Sequence, residues 1–394
     1  MKAFQAPPVL KTTRKFPDNM TNAHALLLKA KLGEKGNVKG EGYAVPAFNV
    51  TTFQGINAAF TAFELLGASG LLAFSNSALK HFGFGDPIFG LEVAADYVAK
   101  LAKRSHVKIA THLDHGDYTT ESGRKVVQGA VEMLTSVMAD NSTDHNVKQP
   151  TPLTDNIGYT REVVNMAHPV GVSVEGELGV LAGVEDEDTK SEFSTYTNPE
   201  EFEQYIVQTG VLMVAPTIGT MHGPNKGKPG HKVKLNIELA HQLLKIADRI
   251  QPETVFVAHG ASTLYPEVVA YAADQMDQIG GSLSTRFSQI WKDFVGTDWD
   301  QIQGLIGAGF AKINTDTENR QTYLAGLLGA LRENAAKIDI RWYDNKTTDA
   351  LTQSYITKLI MAGDFGVWHE PKINVEKYIF NLNKSLKDVI EASK

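Results

Sequence analysis

The stretch Val107-Lys108-Ile109-Ala110-Thr111-His112-Leu113-Asp114-His115-Gly116 decides the fold. Its first half, Val107–Thr111, reads as a short buried strand, and it ends in imidazoles and a carboxylate. A strand that gives way to polar, reactive groups and then to a helical period is the repeating unit of an α/β sheet. The same grammar recurs along the chain. Strands are expected at Tyr43–Phe48, Gly70–Phe74, Val107–Thr111, Met133–Met138, Val170–Val174, Leu212–Pro216, Thr254–Ala258 and Phe310–Ile313. Between them Asn57–Leu66, Leu91–Lys103, Asn236–Arg249 and Thr322–Ala336 carry apolar residues at helical spacing. Eight such strands point to a closed (β/α)8 barrel, the TIM-barrel architecture, rather than to an open sheet.

The residues just past each expected strand strengthen that reading. Asn49 comes after the first, Ser75-Asn76 after the second, Asp140-Asn141-Ser142 after the fourth and Glu175-Gly176-Glu177 after the fifth. Thr220-Met221-His222-Gly223 comes after the sixth, His259-Gly260-Ala261-Ser262 after the seventh and Asn314-Thr315-Asp316-Thr317 after the eighth. In a barrel all of these ends converge on one mouth, where enzymes of this architecture keep their active sites. Turn residues alone would suffice for folding, so imidazoles and carboxylates at these ends signal chemistry.

The bulk composition excludes several classes. The chain has 394 residues, 42% hydrophobic and 21% charged, with ample apolar material for a large core. Its net charge of −7 is spread along the sequence, with no basic stripe for nucleic acid and no polybasic membrane segment. No apolar run approaches the roughly 20 residues of a membrane span. There is no cysteine, so disulfides, thiolate nucleophiles and thiolate-bound zinc are excluded, and a transition metal must sit on His and carboxylates. The expected organisation is one barrel domain over 1–394: an N-terminal arm and first helix to residue 40, the barrel over 41–340, and a helical C-terminal extension over 341–394. Val184–Asn198, acidic and polar, suits a mobile active-site loop, and Gly280–Asp300 reads as an insertion in the seventh βα unit.

Of the 12 histidines, His115, His222 and His259 stand out because each lies just past an expected strand. Three imidazoles with one open position form the ligand set of a catalytic zinc site. Asp114 beside His115 places a carboxyl group where it can exchange a proton with a substrate oxygen. Asp140 and Glu177 also reach the mouth, either as a second metal position or as groups that orient the ligand histidines. Gly223, Gly260 and Ser262 with Asn314, Asp316 and Thr317 combine close backbone approach with hydroxyl and helix N-terminal donors, a pattern suited to phosphate. The glycine-rich, basic run from His222 to Gly230 reads as a loop that folds over phosphate or holds a monovalent cation, or as a solvated loop.

Together these motifs resemble the class II, metal-dependent ketose-bisphosphate aldolases. The resemblance rests on Tyr43-Ala-Val-Pro-Ala-Phe-Asn49, His112-Leu-Asp114-His115-Gly116, Ser136-Val-Met-Ala-Asp140, Glu175-Gly-Glu177-Leu-Gly179, Ile218-Gly-Thr-Met-His222-Gly223, His259-Gly-Ala-Ser262 and Lys312-Ile-Asn314-Thr-Asp316-Thr317, in the family's order. It implies a catalytic zinc on His115, His222 and His259, with Asp140 and Glu177 around an alternative metal position. It implies Asp114 as the group exchanging a proton at the cleaved bond, and Glu185, on the loop, as the group moving the proton on the dihydroxyacetone-phosphate carbon. Gly223, Gly260, Ser262, Asn314, Asp316 and Thr317 match the phosphate and substrate shell, with Asn49 and Ser75 nearby.

The expected activity is therefore reversible cleavage of fructose 1,6-bisphosphate to dihydroxyacetone phosphate and glyceraldehyde 3-phosphate, through an enediolate stabilised by Zn2+. Tagatose bisphosphate or another phosphoketose is the alternative substrate, and a non-catalytic phosphosugar-binding paralogue the alternative class. A second divalent position and a monovalent cation are further expectations, as are a cytoplasmic setting and a homodimer or homotetramer. The chain departs from the family at Leu181-Ala182 before the loop acid and at Asp117-Tyr118 after His115-Gly116. Arg341 is the one nearby candidate for the arginine that the family directs at the far phosphate.

Overall fold

A computed structural model describes residues 7–11, 16–36, 38–179, 183–185, 189–191, 196–220, 234–263 and 296–381. Eight parallel strands close into a barrel: β1 (Val45–Asn49), β2 (Gly70–Phe74), β3 (Ile109–Leu113), β4 (Ser136–Ala139), β5 (Ser173–Leu178), β6 (Met213–Pro216), β7 (Val255–Ala258) and β8 (Phe310–Thr315). Each strand pairs with its neighbour in sequence and β8 pairs with β1, as a (β/α)8 barrel requires. The outer layer includes α2 (Phe53–Leu66), α3 (Asn76–Phe82), α4 (Pro87–Ala102), α5 (Glu121–Met133), α6 (Leu153–Ala167), α7 (Pro199–Thr209), α8 (Ile237–Ile250), α9 (Trp299–Gly307), α10 (Thr317–Glu333) and α11 (Ile340–Ala362), after a first helix α1 (Ala23–Lys31).

The second strand falls where its sequence places it, and others shift for identifiable reasons. α5 runs on through Met133, so β4 starts only at Ser136. His168–Val170 winds into a 3₁₀ turn closed by Gly171 at φ 81°, which delays β5 to Ser173 and carries it on through Glu175 and Glu177. Asp86 caps α4 through Ile88 N–H, with Pro87 at the first helical position, so that helix begins four residues before Leu91.

Side chains alternate across the strands, and the two faces build two cores. Outward residues such as Phe48, Leu72, Phe74, Ile109, Val214 and Phe256 pack beneath the helices. Inward residues are smaller: Val45, Ala47, Leu71, Ala73, Ala110, Ala215 and Val257 share one cluster with Leu26, Leu27 and Ala30 of α1. That helix plugs the N-terminal end of the barrel, held by the exchange of Ile109 N–H to Asn19 O at 2.8 Å and Thr21 N–H to Ile109 O at 2.9 Å. The strand register slips once. Phe256 pairs with Phe310 but Val257 pairs with Lys312, so Ala311 is an extra residue in β8. Such a bulge re-aims the side chains that follow it, and here Lys312 and Asn314 turn into the barrel while Ile313 stays in the outer core.

The stretch expected as a C-terminal extension contributes α11, which packs against the barrel. Tyr355 stacks on Phe48 of β1 with ring centroids 4.1 Å apart, and Phe48 in turn stacks on Phe63 of α2 at 5.8 Å. α10 and α11 form an antiparallel hairpin, with Thr322 Oγ1 donating to Ser354 Oγ at 3.5 Å and Lys346 pairing with Glu333 at 2.7 Å. Most of the Gly280–Asp300 segment lies outside the described residues.

Two stability measurements probe this end of the chain. Tyr355→Ala empties a fully buried site against β1 and is expected to cost about 3–5 kcal/mol in urea unfolding, as aromatic truncations do. Asp364, just past α11, accepts a hydrogen bond from Ser69 N–H at 3.0 Å, while burial pushes its carboxyl up to about 8 from 3.8. A pKa raised on folding gives stability that is complete below the unfolded value and is lost as pH rises through the folded one. Asp364→Asn should therefore be more stable than wild type at pH 8.5, with the advantage gone near pH 4.

Candidate active site and metal centre

The barrel interior is layered, and its middle layer is charged. Glu175 of β5, His112 of β3 and Lys312 of β8 are all completely buried. Lys312 Nζ donates to Glu175 Oε2 at 2.7 Å, His112 Nε2 lies 3.5 Å from the same oxygen, and His112 Nδ1 meets Ser136 Oγ at 2.8 Å. Burial opposes ionisation of Glu175, but the Lys312 ammonium and the hydrogen bond from His259 outweigh it and hold the carboxyl at about 2. Burial, reinforced by Lys312, drives His112 down to about 3, so its ring stays neutral.

Above this layer stands the mouth. Gly176 separates Glu175 from Glu177 and faces outward. A Cβ there would sit 2.2 Å from the hydroxyl of Tyr205, which meets Thr160 Oγ1 at 2.9 Å. Only glycine lets α7 approach β5 this closely, and that approach keeps both glutamates pointing inward. His259 Nε2 donates to Glu175 Oε1 at 2.8 Å, and His115 Nδ1 donates to Asp140 Oδ2 at 2.8 Å. Each carboxylate fixes a tautomer, leaving the lone pair on the ring's other nitrogen. Those two lone pairs face one another, with His259 Nδ1 3.1 Å from His115 Nε2. His115 adopts φ 51°, a left-handed backbone uncommon outside glycine, which turns its ring across the strand ends.

Two ring nitrogens so placed can share one cation. Two ligands of one tetrahedral zinc at about 2.0–2.1 Å would stand roughly 3.3 Å apart, close to this separation. Candidate ligand atoms of Asp114, His115 and His259 lie within 4.8 Å of one another, as do those of His115, Asp140 and Glu177. Glu177 Oε2 stands 3.7 Å from His259 Nδ1. The donor set is nitrogen and carboxylate oxygen, which suits zinc.

Asp114 lies beside this pair, 2% exposed, with Oδ2 at 4.0 Å from His115 Nε2. Asn49 donates to its Oδ2 at 2.6 Å and Asn314 to its Oδ1 at 2.9 Å. Burial works against the charge, yet the surrounding imidazoles, His115 first, and the Lys312 ammonium hold the carboxyl well below the usual range, and the two amide donors favour the ionised form. Asp140 is ionised for a related reason: burial opposes the charge, and the hydrogen bond from His115 overcomes it. Asp140 also accepts from Ser142 Oγ at 2.9 Å, which orients its second oxygen.

The residues read as an anion shell gather at the ends of β7 and β8. Ser262 Oγ accepts from Asp316 N–H at 3.2 Å, and Gly260, at φ 60°, accepts from Thr297 Oγ1 at 3.0 Å. Asp316 pairs with Arg320 at 2.9 Å, and Thr317 opens α10. Ser75 instead caps α3, accepting from Ala78 N–H at 3.3 Å. His222 and Gly223 lie outside the described residues. Glu185 belongs to a short antiparallel pair, Gly183–Glu185 with Thr189–Ser191, inside the segment read as a loop, and its side chain lies outside the described residues. Arg341 is exposed at the start of α11 and holds Asp339 through two 2.9 Å contacts, at the outer end of the hairpin.

Comparison with known proteins gives the family. Residues 36–366 match the family model for fructose-bisphosphate aldolase class-II. A fructose-bisphosphate aldolase of Helicobacter pylori is 33% identical over 327 residues, covering 82% of this chain and 94% of its own. That of Thermus caldophilus is 31% identical over 329 residues, covering 83% and 95%. Among solved structures, fructose-bisphosphate aldolase from Campylobacter jejuni superposes with a TM-score of 0.65 at 19% identity, over 88% of this chain and 96% of that one. The YdjI aldolase from Escherichia coli K12 gives 0.60 at 20%, over 88% and 98%. The chain belongs to the class II fructose-bisphosphate aldolase family, whose members are lyases. No helix among the described residues is long and apolar enough to cross a membrane.

Sequence reasoning singled out the rim and passed over the layer beneath it. Glu175 and His112 were visible only as neighbours of Glu177 and Asp114, and Lys312 as part of a motif. A lysine inside an otherwise apolar strand, facing a glutamate two residues before another, was the available signal. If Asp140 orients His115, Asp140→Asn should weaken zinc binding by about 10–100-fold in a chelator competition while leaving the fold intact.

Proposed function

We propose that this chain reversibly cleaves fructose 1,6-bisphosphate to dihydroxyacetone phosphate and glyceraldehyde 3-phosphate, with zinc held by His115, His222 and His259. The observation that carries this reading is the convergence of the His115 and His259 lone pairs at 3.1 Å beside an ionised, amide-clamped Asp114. When bound, the cation would supply Lewis-acid stabilisation of the negative charge left on substrate oxygens as the carbon–carbon bond breaks.

The protein's own groups then have definite tasks. In cleavage, Asp114 accepts the proton of the C4 hydroxyl as the C3–C4 bond breaks, leaving an aldehyde on one product and the electron pair on the other. Asn49 and Asn314 hold the carboxylate so that its oxygens keep one orientation through both directions of the reaction. Glu185 delivers a proton to C3 of the dihydroxyacetone-phosphate half, and removes it again in condensation. Ser262, Gly260 and Thr317, with Asp316 beside them, receive a substrate phosphate, and Gly223 and Asn314 join that shell as the family resemblance implies. Asp140 and Glu177 keep the imidazoles aligned and border a second metal position. The same family membership supports a cytoplasmic homo-oligomer acting in sugar-phosphate metabolism.

The test is turnover of fructose 1,6-bisphosphate by zinc-loaded enzyme, with and without EDTA, beside His115→Ala. Chelation and the substitution should each abolish activity, and added zinc should restore only the wild type. Turnover that survives both would refute the metal assignment. Rates on tagatose 1,6-bisphosphate tenfold or more above those on the fructose epimer, read in the same assay, would transfer the reaction to that substrate.

A further inference from the structure

α11 buries one charged side chain that the aldol reaction does not use. Lys358 is only 1% exposed. Its Nζ lies 3.1 Å from Glu318 Oε1, donates to Thr263 Oγ1 at 3.2 Å, and faces the ring of Trp299 at 5.4 Å. These partners come from three segments: the first turn of α10, the run just past β7, and the first residue of α9. Taking an ammonium and a carboxylate out of water costs several kcal/mol per ion, and an apolar pair of similar size often serves stability equally well. Stability alone therefore does not account for the choice of residues. What Lys358 does achieve is geometric, because one group with three donors spans two strand ends that no strand pairing extends to.

Thr263 follows Ser262 directly, and Glu318 follows Asp316 and Thr317. At the mouth itself those two runs meet through the 3.2 Å bond from Asp316 N–H to Ser262 Oγ. That bond is at the upper end of the ordinary N–H···O range, and it is one contact between two runs that no strand pairing joins. Lys358 lies one layer out from it and ties the adjacent residues together from the helical side.

We propose that Lys358 is a positioning residue for the anion shell: by tying Thr263 to Glu318 it holds the Gly260–Ser262 and Asp316–Thr317 donors at the spacing that one phosphate group requires. The assignment rests on the proposal that these residues receive a substrate phosphate. It makes the C-terminal helical hairpin a working part of substrate binding, acting from outside the barrel.

The experiment measures inorganic phosphate affinity by calorimetry on zinc-loaded enzyme, zinc affinity by chelator competition, and KM and kcat separately. Lys358→Met leaves Glu318 buried without its ammonium and risks unfolding, so Lys358→Met/Glu318→Leu is made alongside it and Lys358→Arg serves as the conservative variant. In the double variant, phosphate binding should weaken about tenfold or more and KM rise in parallel, with kcat and zinc affinity within about threefold of wild type. Lys358→Arg should keep phosphate affinity within about threefold. Wild-type phosphate affinity in the folded double variant would overturn the assignment, and so would an equal loss of zinc affinity, which marks general disruption. Phosphate binding is read without turnover. A failure of the aldolase reading therefore shows in the activity assay alone, and a failure of the Lys358 assignment in the isotherms.

Discussion

The structure depends on neutralising one carboxylate, Glu175, in a place water does not reach. An unpaired carboxylate there would take up a proton or cost a large fraction of a domain's net stability. Lys312 meets one of its oxygens at 2.7 Å and His259 the other at 2.8 Å, so both faces of the charge are answered. Each partner comes from a different strand, and the ion pair is satisfied only when β5, β7 and β8 close to the right register. The same contact that makes Glu175 tolerable selects the Nε2–H tautomer of His259 and turns Nδ1 toward the mouth. Stability and site geometry are thus two consequences of one buried network.

Lys312 reaches Glu175 because β8 carries an extra residue. Without the bulge at Ala311, strict alternation would send Lys312 outward among the helices and Asn314 with it. One insertion therefore delivers two inward groups, the first to Glu175 and the second to Asp114. The bulge also explains why the apolar pattern of residues 310–315 looks irregular for a strand, with Phe310 and Ile313 facing the same way despite an odd spacing.

Much of the fold was legible because fully buried parallel strands leave short apolar runs, and because polar groups stand where those runs stop. Gly70–Phe74 could be bounded from sequence since Gly67-Ala68-Ser69 breaks the preceding helix and Ser75 caps the next. Strand ends near Leu113 and Leu178 were harder. Strands three and five continue through charged or imidazole residues that, in isolation, read as loop. His112 and Glu175 are compatible with a strand interior only because Lys312 and Ser136 stand opposite, and pairing across 137 residues of chain leaves no local trace. The packing of α11 on β1 was illegible for the same reason: Tyr355 and Phe48 are far apart in sequence, and the helix itself shows little amphipathic period.

The layered interior explains why the mouth can carry so many like-charged groups without flying apart. Asp114, Asp140, Glu175 and Glu177 bring four carboxylates into one barrel end, where mutual repulsion would ordinarily raise their pKa values and leave some protonated. Three of them have well-defined donors of their own: two amides for Asp114, His115 and Ser142 for Asp140, Lys312 and His259 for Glu175. Those carboxylates stay ionised, and in doing so they aim the imidazoles rather than compete with them. Within this arrangement two imidazole nitrogens, one each from His259 and His115, stand 3.1 Å apart among ionised carboxylates. A divalent cation held there, as proposed, would meet imidazole nitrogen and carboxylate oxygen together, and the same carboxylates that aim the imidazoles would balance its charge.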